Sequence, residues 1–259
     1  MIIPEYADSV ALIPGSSSSI GFETAAQLAE AGVRRVMLNG RDAARGAAAV
    51  ERLKARVPGT EVDFVRADVV DPDEAKRLVD ACIDRFGQID TLVNAIGGTS
   101  SPKPFHQLSR EEIRALAEVN FLSPVWVCQA ALPHMMAREG GTIVNIASDA
   151  AKVATPGESM VGATKAAVLM FSRTLALEAS RSGIRVHCLT PSLVVNTGGY
   201  DRVMAHDFSK KLFEKAAGRA RLGVARPEDV AAIATFLAGP QAARITGQGI
   251  SINGGISAA

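Results

Sequence analysis

The segment Gly15-Ser16-Ser17-Ser18-Ser19-Ile20-Gly21 stands between a short apolar run and the helix-forming stretch Phe22 to Ala31. Small residues there let the backbone approach an anion closely, and the amides that open the following helix are oriented to hold a pyrophosphate. Other chemistries find less support. Cys82, Cys128 and Cys188 are isolated and odd in number, with no CxxC or CxxH pairing, so they read as reduced structural thiols of a cytosolic protein and give a metal nothing to bind. His106, His134, His187 and His206 are scattered outside any hydrolase or metal constellation, and Met135-Met136 reads as helix packing.

The elements that must position such a turn follow from periodicity. Apolar β-rich runs alternate with Ala-rich amphipathic stretches, the pattern of βαβ crossovers and a parallel sheet, in a single domain over residues 1–259. Strands are predicted at Ser9 to Ile13, Arg35 to Asn39, Glu61 to Arg66, Thr91 to Ala95, Thr142 to Ala147, Ile184 to Leu189 and Gly249 to Ile252. Helical spacing covers Asp42 to Val57 and Pro72 to Phe86, and Arg110 to Arg138 is long enough for two helices or for one bent at Pro124. Thr155-Pro156-Gly157-Glu158 reads as a capping box with Thr155 at the N-cap, opening a helix that runs to about Ser182. Residues 191–220, with Gly198, Gly199 and a charged helix-like segment, read as a mobile substrate loop and lid rather than core.

Composition narrows the partners. The 259 residues carry 28 Lys+Arg against 27 Asp+Glu, so there is no polycationic surface to make nucleic acid or an anionic membrane the main partner. No apolar run of transmembrane length is expected, and Met1 to Asp8 lacks the basic leader and apolar h-region of a signal or transit peptide, which together predict a cytoplasmic protein.

Further motifs follow the glycine turn in a fixed order: Asp68-Val69 after the third strand, Asn94-Ala95-Ile96-Gly97 after the fourth, Asn120, Ser148 after the fifth, Lys165, Pro191 and the closing Asn253-Gly254-Gly255. Together they resemble the short-chain dehydrogenase/reductase family along essentially the whole chain. The resemblance implies an α/β, single-domain Rossmann fold with a doubly wound seven-stranded parallel sheet, a nicotinamide cofactor, and a homotetramer built through the paired helices after the fourth and fifth strands. It implies cofactor contacts at Gly15, Ser17, Ser18, Ser19, Ile20, Gly21, Asp68, Val69, Asn94, Ala95, Gly97 and Lys165, with Asp68 accepting from the adenine amino group. Asp68 has an equally simple alternative as a turn or cap residue before Asp71-Pro72. Of the catalytic residues the resemblance implies, Ser148 polarises the substrate carbonyl, Asn120 anchors a water relay, and Lys165 holds the nicotinamide ribose. Their plainer alternatives are a strand-end turn residue, a helix-kink hydrogen bonder and a snorkelling helix lysine.

The end of the second strand, Leu38-Asn39-Gly40-Arg41, lacks the acid that would bind the adenosine ribose hydroxyls of NAD. Arg41 supplies a guanidinium suited to a 2′-phosphate, so NADP(H) is preferred over NAD(H), the alternative being a solvated charge that opens the next helix.

The pattern is broken at its centre. The family's Tyr-x-x-x-Lys motif is represented by Lys165 with Val161 four residues before it, and the enoyl-reductase variant with Tyr seven before Lys is excluded by Glu158. An isopropyl group cannot transfer a proton. Ser19 replaces the middle glycine of the fingerprint, Pro14 the usual Thr, Ala95 the second Asn of Asn-Asn-Ala-Gly, and Ser192 the Gly of Pro-Gly. Candidate replacement acids are Tyr200, Glu158 and a relay through Lys165, ribose and water, although Glu158 also reads as a capping-box member and Tyr200 as a loop anchor or substrate contact.

The sequence therefore predicts an oxidoreductase of non-standard mechanism. Its substrate would carry a carbonyl or hydroxyl group, and the stretch Ser148-Asp149-Ala150-Ala151-Lys152 through Gly157-Glu158 is similar to members acting on hydroxyacyl-CoA or oxoacyl thioesters. Some dienoyl-CoA reductases of the family also lack the tyrosine, which keeps dienoyl- or enoyl-thioester reduction open. The competing expectation is a catalytically degenerate subunit of a heteromeric dehydrogenase, paired in a heterotetramer with a related chain.

Overall fold

Val10, Ala11, Leu12 and Ile13 are all buried, as a strand covered by helices on both faces must be. They form β1 of a seven-stranded, wholly parallel sheet ordered β3-β2-β1-β4-β5-β6-β7. The other strands are β2 (Arg35–Gly40), β3 (Glu61–Arg66), β4 (Thr91–Asn94), β5 (Gly141–Ile146), β6 (Ile184–Pro191) and β7 (Gly249–Ile252). All seven predicted strands are therefore present. This computed structural model describes residues 5–97 and 101–259; Met1 to Pro4, part of the predicted leader-free arm, lie outside the described residues.

Helices fill both faces. On one side pack α1 (Ser19–Glu30), α2 (Ala43–Arg56) and α9 (Pro227–Ala238), and on the other α3 (Pro72–Phe86), α5 (Ser123–Ala137) and α6 (Ser159–Ala179). Between β4 and α5 comes α4 (Arg110–Ala117), and between β6 and α9 come α7 (Gly198–Met204) and α8 (Asp207–Ala217). Chain order reverses between β1 and β4, which opens a crevice at the carboxyl ends of the strands, the general ligand position of such sheets.

One polar residue ties two layers together. Arg185 on β6 is buried and donates to the carbonyls of Leu237 (2.5 Å), Ala242 (3.2 Å), Ala238 (3.3 Å) and Gly239 (3.3 Å), and to Thr142 Oγ1 (2.7 Å). Its charge satisfies the orphan carbonyls at the end of α9 and complements the negative end of that helix.

Three expectations are corrected. Of the two readings of residues 110–138, two helices are present, α4 and α5, joined by a π-helical turn at Glu118–Leu122; the bend at Pro124 is not, since Pro124 sits just past that turn in the first turn of α5. The capping box at Thr155 does not form: Gly157 has φ +82°, incompatible with a continuing right-handed helix, so residues 155–158 make a turn and α6 starts at Ser159. Finally, Arg110–Ala137 and Ser159–Ser182 are long and apolar enough to span a bilayer, each with mean hydropathy 1.3. Their composition has a packing cause, because Val127, Ala131, Met135, Val168, Leu175 and Ala179 are buried within the fold.

Candidate active site

The glycine turn is shaped by close approach. Gly15 has φ +79°, and a Cβ there would lie 2.7 Å from the Ala95 carbonyl oxygen, while a Cβ on Gly21 would overlap the Gly15 oxygen. Ser19 adopts φ +54°, the left-handed region that its glycine counterpart enters freely. No side chain caps Ser18 at the N-terminus of α1, so the first-turn amides stay open toward the cleft.

Asn39, which the motif reading did not single out, organises this turn. Its Oδ1 accepts from the Gly15 N–H at 3.3 Å, and its Nδ2 donates to the carbonyls of Val65 (3.0 Å) and Ala67 (3.1 Å). The Asn39 N–H donates in turn to Ser16 Oγ at 3.0 Å. An asparagine at a strand end, followed by Gly40, was the only signal for it.

Beyond Asn39 lies a basic corner. Arg41 lies 3.8 Å from Asp68, both side chains about half exposed, and Arg45 donates to Ser18 Oγ at 3.1 Å. Arg45 went unnoticed in the sequence; it follows Arg41 by one helical turn across the Asp42 N-cap. A Cβ at Gly40 would meet Ser17 Oγ at 3.1 Å, so the missing acid leaves a space into which a larger residue fits only if Ser17 gives way. Asp68 accepts from the Val70 N–H at 3.3 Å and so also serves its turn, and Val69 is buried beside it. Asn94 stands behind the cleft wall: its Nδ2 donates to Asn145 Oδ1 at 2.8 Å, joining β4 to β5, while Ala95, Ile96 and Gly97 line the cleft.

At the opposite end Lys165 is 6 % exposed, and its Nζ donates to the Ile146 carbonyl at 3.0 Å. It does not snorkel. Burial pulls its pKa down to about 8, with the nearby Cys188 thiol acting weakly in the other sense. Ser148, two residues beyond Ile146, lines the cleft and accepts from the Ala150 N–H at 3.2 Å, so it also caps the turn Asp149–Ala151. Asn120 is buried in the π-helical turn with its Nδ2 unpartnered, a donor left over for a group in the cleft. Val161 lines the same space, and α6 is brought close by Gly162, whose Cβ would lie 2.9 Å from the Ala150 carbonyl.

Glu158, displaced from the expected box, is the N-cap residue of α6, but its side chain makes no capping bond. Burial, reinforced by the negative charge of Asp149, raises its pKa to about 7. Residues 191–220 form the wall facing it. They are more ordered than a bare loop: Thr197 Oγ1 accepts from the Tyr200 N–H at 3.1 Å, Val194 bridges to Ala225, and Ser209 and Phe213 are buried. Tyr200 lines the cleft, whereas Tyr6 is an anchor elsewhere, donating to the Thr235 carbonyl at 2.8 Å. The cleft holds about 1360 Å³, well above the space of an ordinary small-ligand pocket.

A sequence model of the family described as Enoyl-(Acyl carrier protein) reductase matches residues 15–257. The cis-4-hydroxycyclohexanecarboxylate dehydrogenase of Sinomonas cyclohexanicum is 34% identical over 255 residues, covering 98% of each chain. A 3-oxoacyl-(acyl-carrier-protein) reductase of Staphylococcus aureus is 32% identical over 250 residues, covering 95% of this chain and 97% of its own. Among solved structures, a short-chain type dehydrogenase/reductase from Mycobacterium ulcerans superposes with a TM-score of 0.89 at 30% identity, over 98% of this chain and 91% of its own. Levodione reductase does so with a TM-score of 0.91 at 25% identity, over 96% and 97% respectively. The chain is a short-chain dehydrogenase/reductase.

Short-chain dehydrogenase/reductases bind a nicotinamide dinucleotide, and this cleft passes the test of fit. Its glycine turn would be filled by a Cβ at Gly15, its helix N-terminus is uncapped, and Asn120 presents an unused donor. Among the described residues no group of His, Cys, Asp and Glu could hold a metal ion.

Proposed function

We propose that this chain carries out NADP(H)-linked hydride transfer on a carbonyl or hydroxyl group of a small molecule, with a 3-oxoacyl or hydroxyacyl thioester as the leading substrate class. The observation that carries the reading is Lys165, a buried cation held 3.0 Å from the carbonyl that precedes Ala147 and Ser148. A buried charge needs partners, and its single carbonyl leaves Lys165 with donors to spare for a ligand.

When bound, the reduced nicotinamide supplies the hydride. The chain's own residues do the rest. Gly15, Ser17, Ser18, Ser19, Ile20 and Gly21 with the α1 N-terminus hold the diphosphate, Arg41 and Arg45 the 2′-phosphate, and Asp68 and Val69 the adenine. Lys165 orients the nicotinamide ribose, Ser148 donates to the substrate oxygen, and Asn120 holds a water on the way to Lys165. Residues 191–220 close over the substrate. The thioester class is favoured by the likeness to 3-oxoacyl-(acyl-carrier-protein) reductases, and dienoyl or enoyl thioesters are the further class to test.

Exposed Met136, Met170 and Leu177 on α5 and α6 support assembly as a tetramer, with copies of itself or with a related chain. The buried free cysteines suit a cytoplasmic setting. A second reading, a non-catalytic subunit of a heteromeric dehydrogenase, is favoured by Val161 and by the strained Ser19. Equilibrium titration of the purified protein with NADPH and NADH separates the two. Micromolar NADPH binding with much weaker NADH binding supports the enzyme, and no binding up to millimolar concentrations supports the subunit.

A further inference from the structure

The cleft has lost the residue that should exchange a proton with substrate, yet it contains a carboxyl group with no other evident use. Val161 and Lys165, at i and i+4, share one face of α6; Glu158 is the N-cap residue just before the helix, and all three line the cleft. Glu158 thus sits three residues before Val161, which cannot exchange a proton. Its side chain accepts and donates nothing among the described residues, and only its backbone is engaged, through its N–H to Thr155 (3.1 Å) and its carbonyl from Gly162 (2.6 Å).

The turn that presents it is fixed from outside. The Lys103 N–H donates to the Gly157 carbonyl at 3.0 Å, and Gly157, with its positive φ, makes the turn that leaves Glu158 as the N-cap residue of α6. On this reading of the cleft as a hydride-transfer site, we propose that Glu158 is its acid–base residue, taking over from the N-terminus of α6 the proton transfer that Val161 cannot perform.

The surroundings fit that role. Asp149, on the turn after β5, is already committed: Ser257 Oγ donates to both of its oxygens at 2.9 Å, and Asn253 Nδ2 to one at 3.3 Å. Its negative charge helps to hold the Glu158 proton in place. The other charged or titratable groups that line this part of the cleft are Lys165 on α6, Tyr200, Asp201 and Arg202 on α7, Lys215 on α8 and Arg219 just after it, and nearby Lys103 has its Nζ paired with Glu112 at 2.6 Å. A carboxyl poised near pH 7 gives and takes a proton equally well there, the condition for efficient general acid–base catalysis.

The step balances. In the reducing direction the carbonyl carbon accepts hydride from the reduced nicotinamide, the π pair moves onto oxygen, and that oxygen takes the Glu158 proton. The products are the alcohol, the oxidised nicotinamide and a carboxylate that solvent reprotonates. In the oxidising direction the Glu158 carboxylate removes the hydroxyl proton as hydride leaves.

Two readouts test this in the full-length protein. Carboxyl-13C glutamate NMR of the cofactor-free protein, with the signal assigned by its loss in Glu158→Gln, should show a midpoint near neutrality; a midpoint below pH 5 overturns the proposal. With NADPH and acetoacetyl-CoA, wild type should lose activity as pH rises through about 7, and Glu158→Gln should be about 10²–10⁴-fold slower with that pH dependence gone. An unchanged rate and profile in Glu158→Gln overturns it. Failure of wild type to bind NADPH overturns the hydride-transfer reading and this inference with it. NADPH binding and a neutral midpoint without thioester reduction overturn the substrate class alone.

Discussion

Lys165 Nζ rests 3.0 Å from the Ile146 carbonyl oxygen at the cleft, so among the described residues the one hydrogen bond holding this buried ammonium goes to the backbone immediately before Ala147-Ser148. One carbonyl is poor compensation for a desolvated cation with three donors, and Lys165 lines the cleft.

That relationship sets a pH dependence. Because the folded-state pKa is lowered to about 8 from an unfolded value near 10.5, the folded protein binds fewer protons between those limits, and stability rises as pH increases through that window. Lys165→Met should remove the rise and stabilise the protein at pH 7, while weakening NADPH by about 10–100-fold through loss of a charged hydrogen bond. Urea midpoints at pH 7 and pH 10, with a binding titration, check both.

Ser19 is held at φ +54° at the mouth of α1, a conformation costing a residue with a Cβ about 1 kcal/mol or more. Ser19→Gly should raise stability by about 1 kcal/mol and tighten NADPH binding, the two effects being read from urea denaturation and fluorescence titration. Weaker binding in Ser19→Gly would assign the Ser19 hydroxyl a direct contact with the diphosphate.

Arg41 and Arg45 form the basic corner proposed above to hold a 2′-phosphate. Arg41→Ala and Arg45→Ala should each weaken NADPH binding about 10–100-fold and leave NADH binding within about twofold, since the charged hydrogen bonds lost are worth about 1.5–3 kcal/mol. Equal losses for both nucleotides would mean that these guanidinium groups support the loop rather than read the cofactor.

Val161→Tyr places a phenol within reach of Lys165. If Glu158 performs proton transfer, this substitution should change the wild-type rate little and restore much of the activity lost in Glu158→Gln, with the midpoint of the pH profile moved away from 7. The measurement is kcat against pH for the two single variants and the double variant.

The architecture was legible because a parallel sheet writes itself twice, as short apolar strands and as amphipathic crossovers, and each strand predicted from that alternation exists. Local backbone chemistry was harder to read. Thr155, Pro156 and Glu158 fulfil the composition of a capping box, but the contact of Gly157 with Lys103, distant in sequence, selects a turn instead. Glu158 lost its structural explanation for the same reason. Asn39 and Arg45 escaped notice because their roles depend on which strands and helices lie side by side, through bonds to Gly15 and Ser18. Nothing in the spacing of either residue announces such a bond.

The π-helical turn at Glu118–Leu122 carries one residue more than an α-helical turn would need. Losing any one of its residues would yield a smoother helix, but it would also rotate everything on the α4 side by about 100° about the axis relative to α5. Leu116 and Val119 would then swing off the cleft wall, and Asn120 would no longer face the floor it shares with Lys165. Insertions and deletions here are therefore felt as changes of phase between two halves of one rod, and the irregular winding is what keeps the two halves in step.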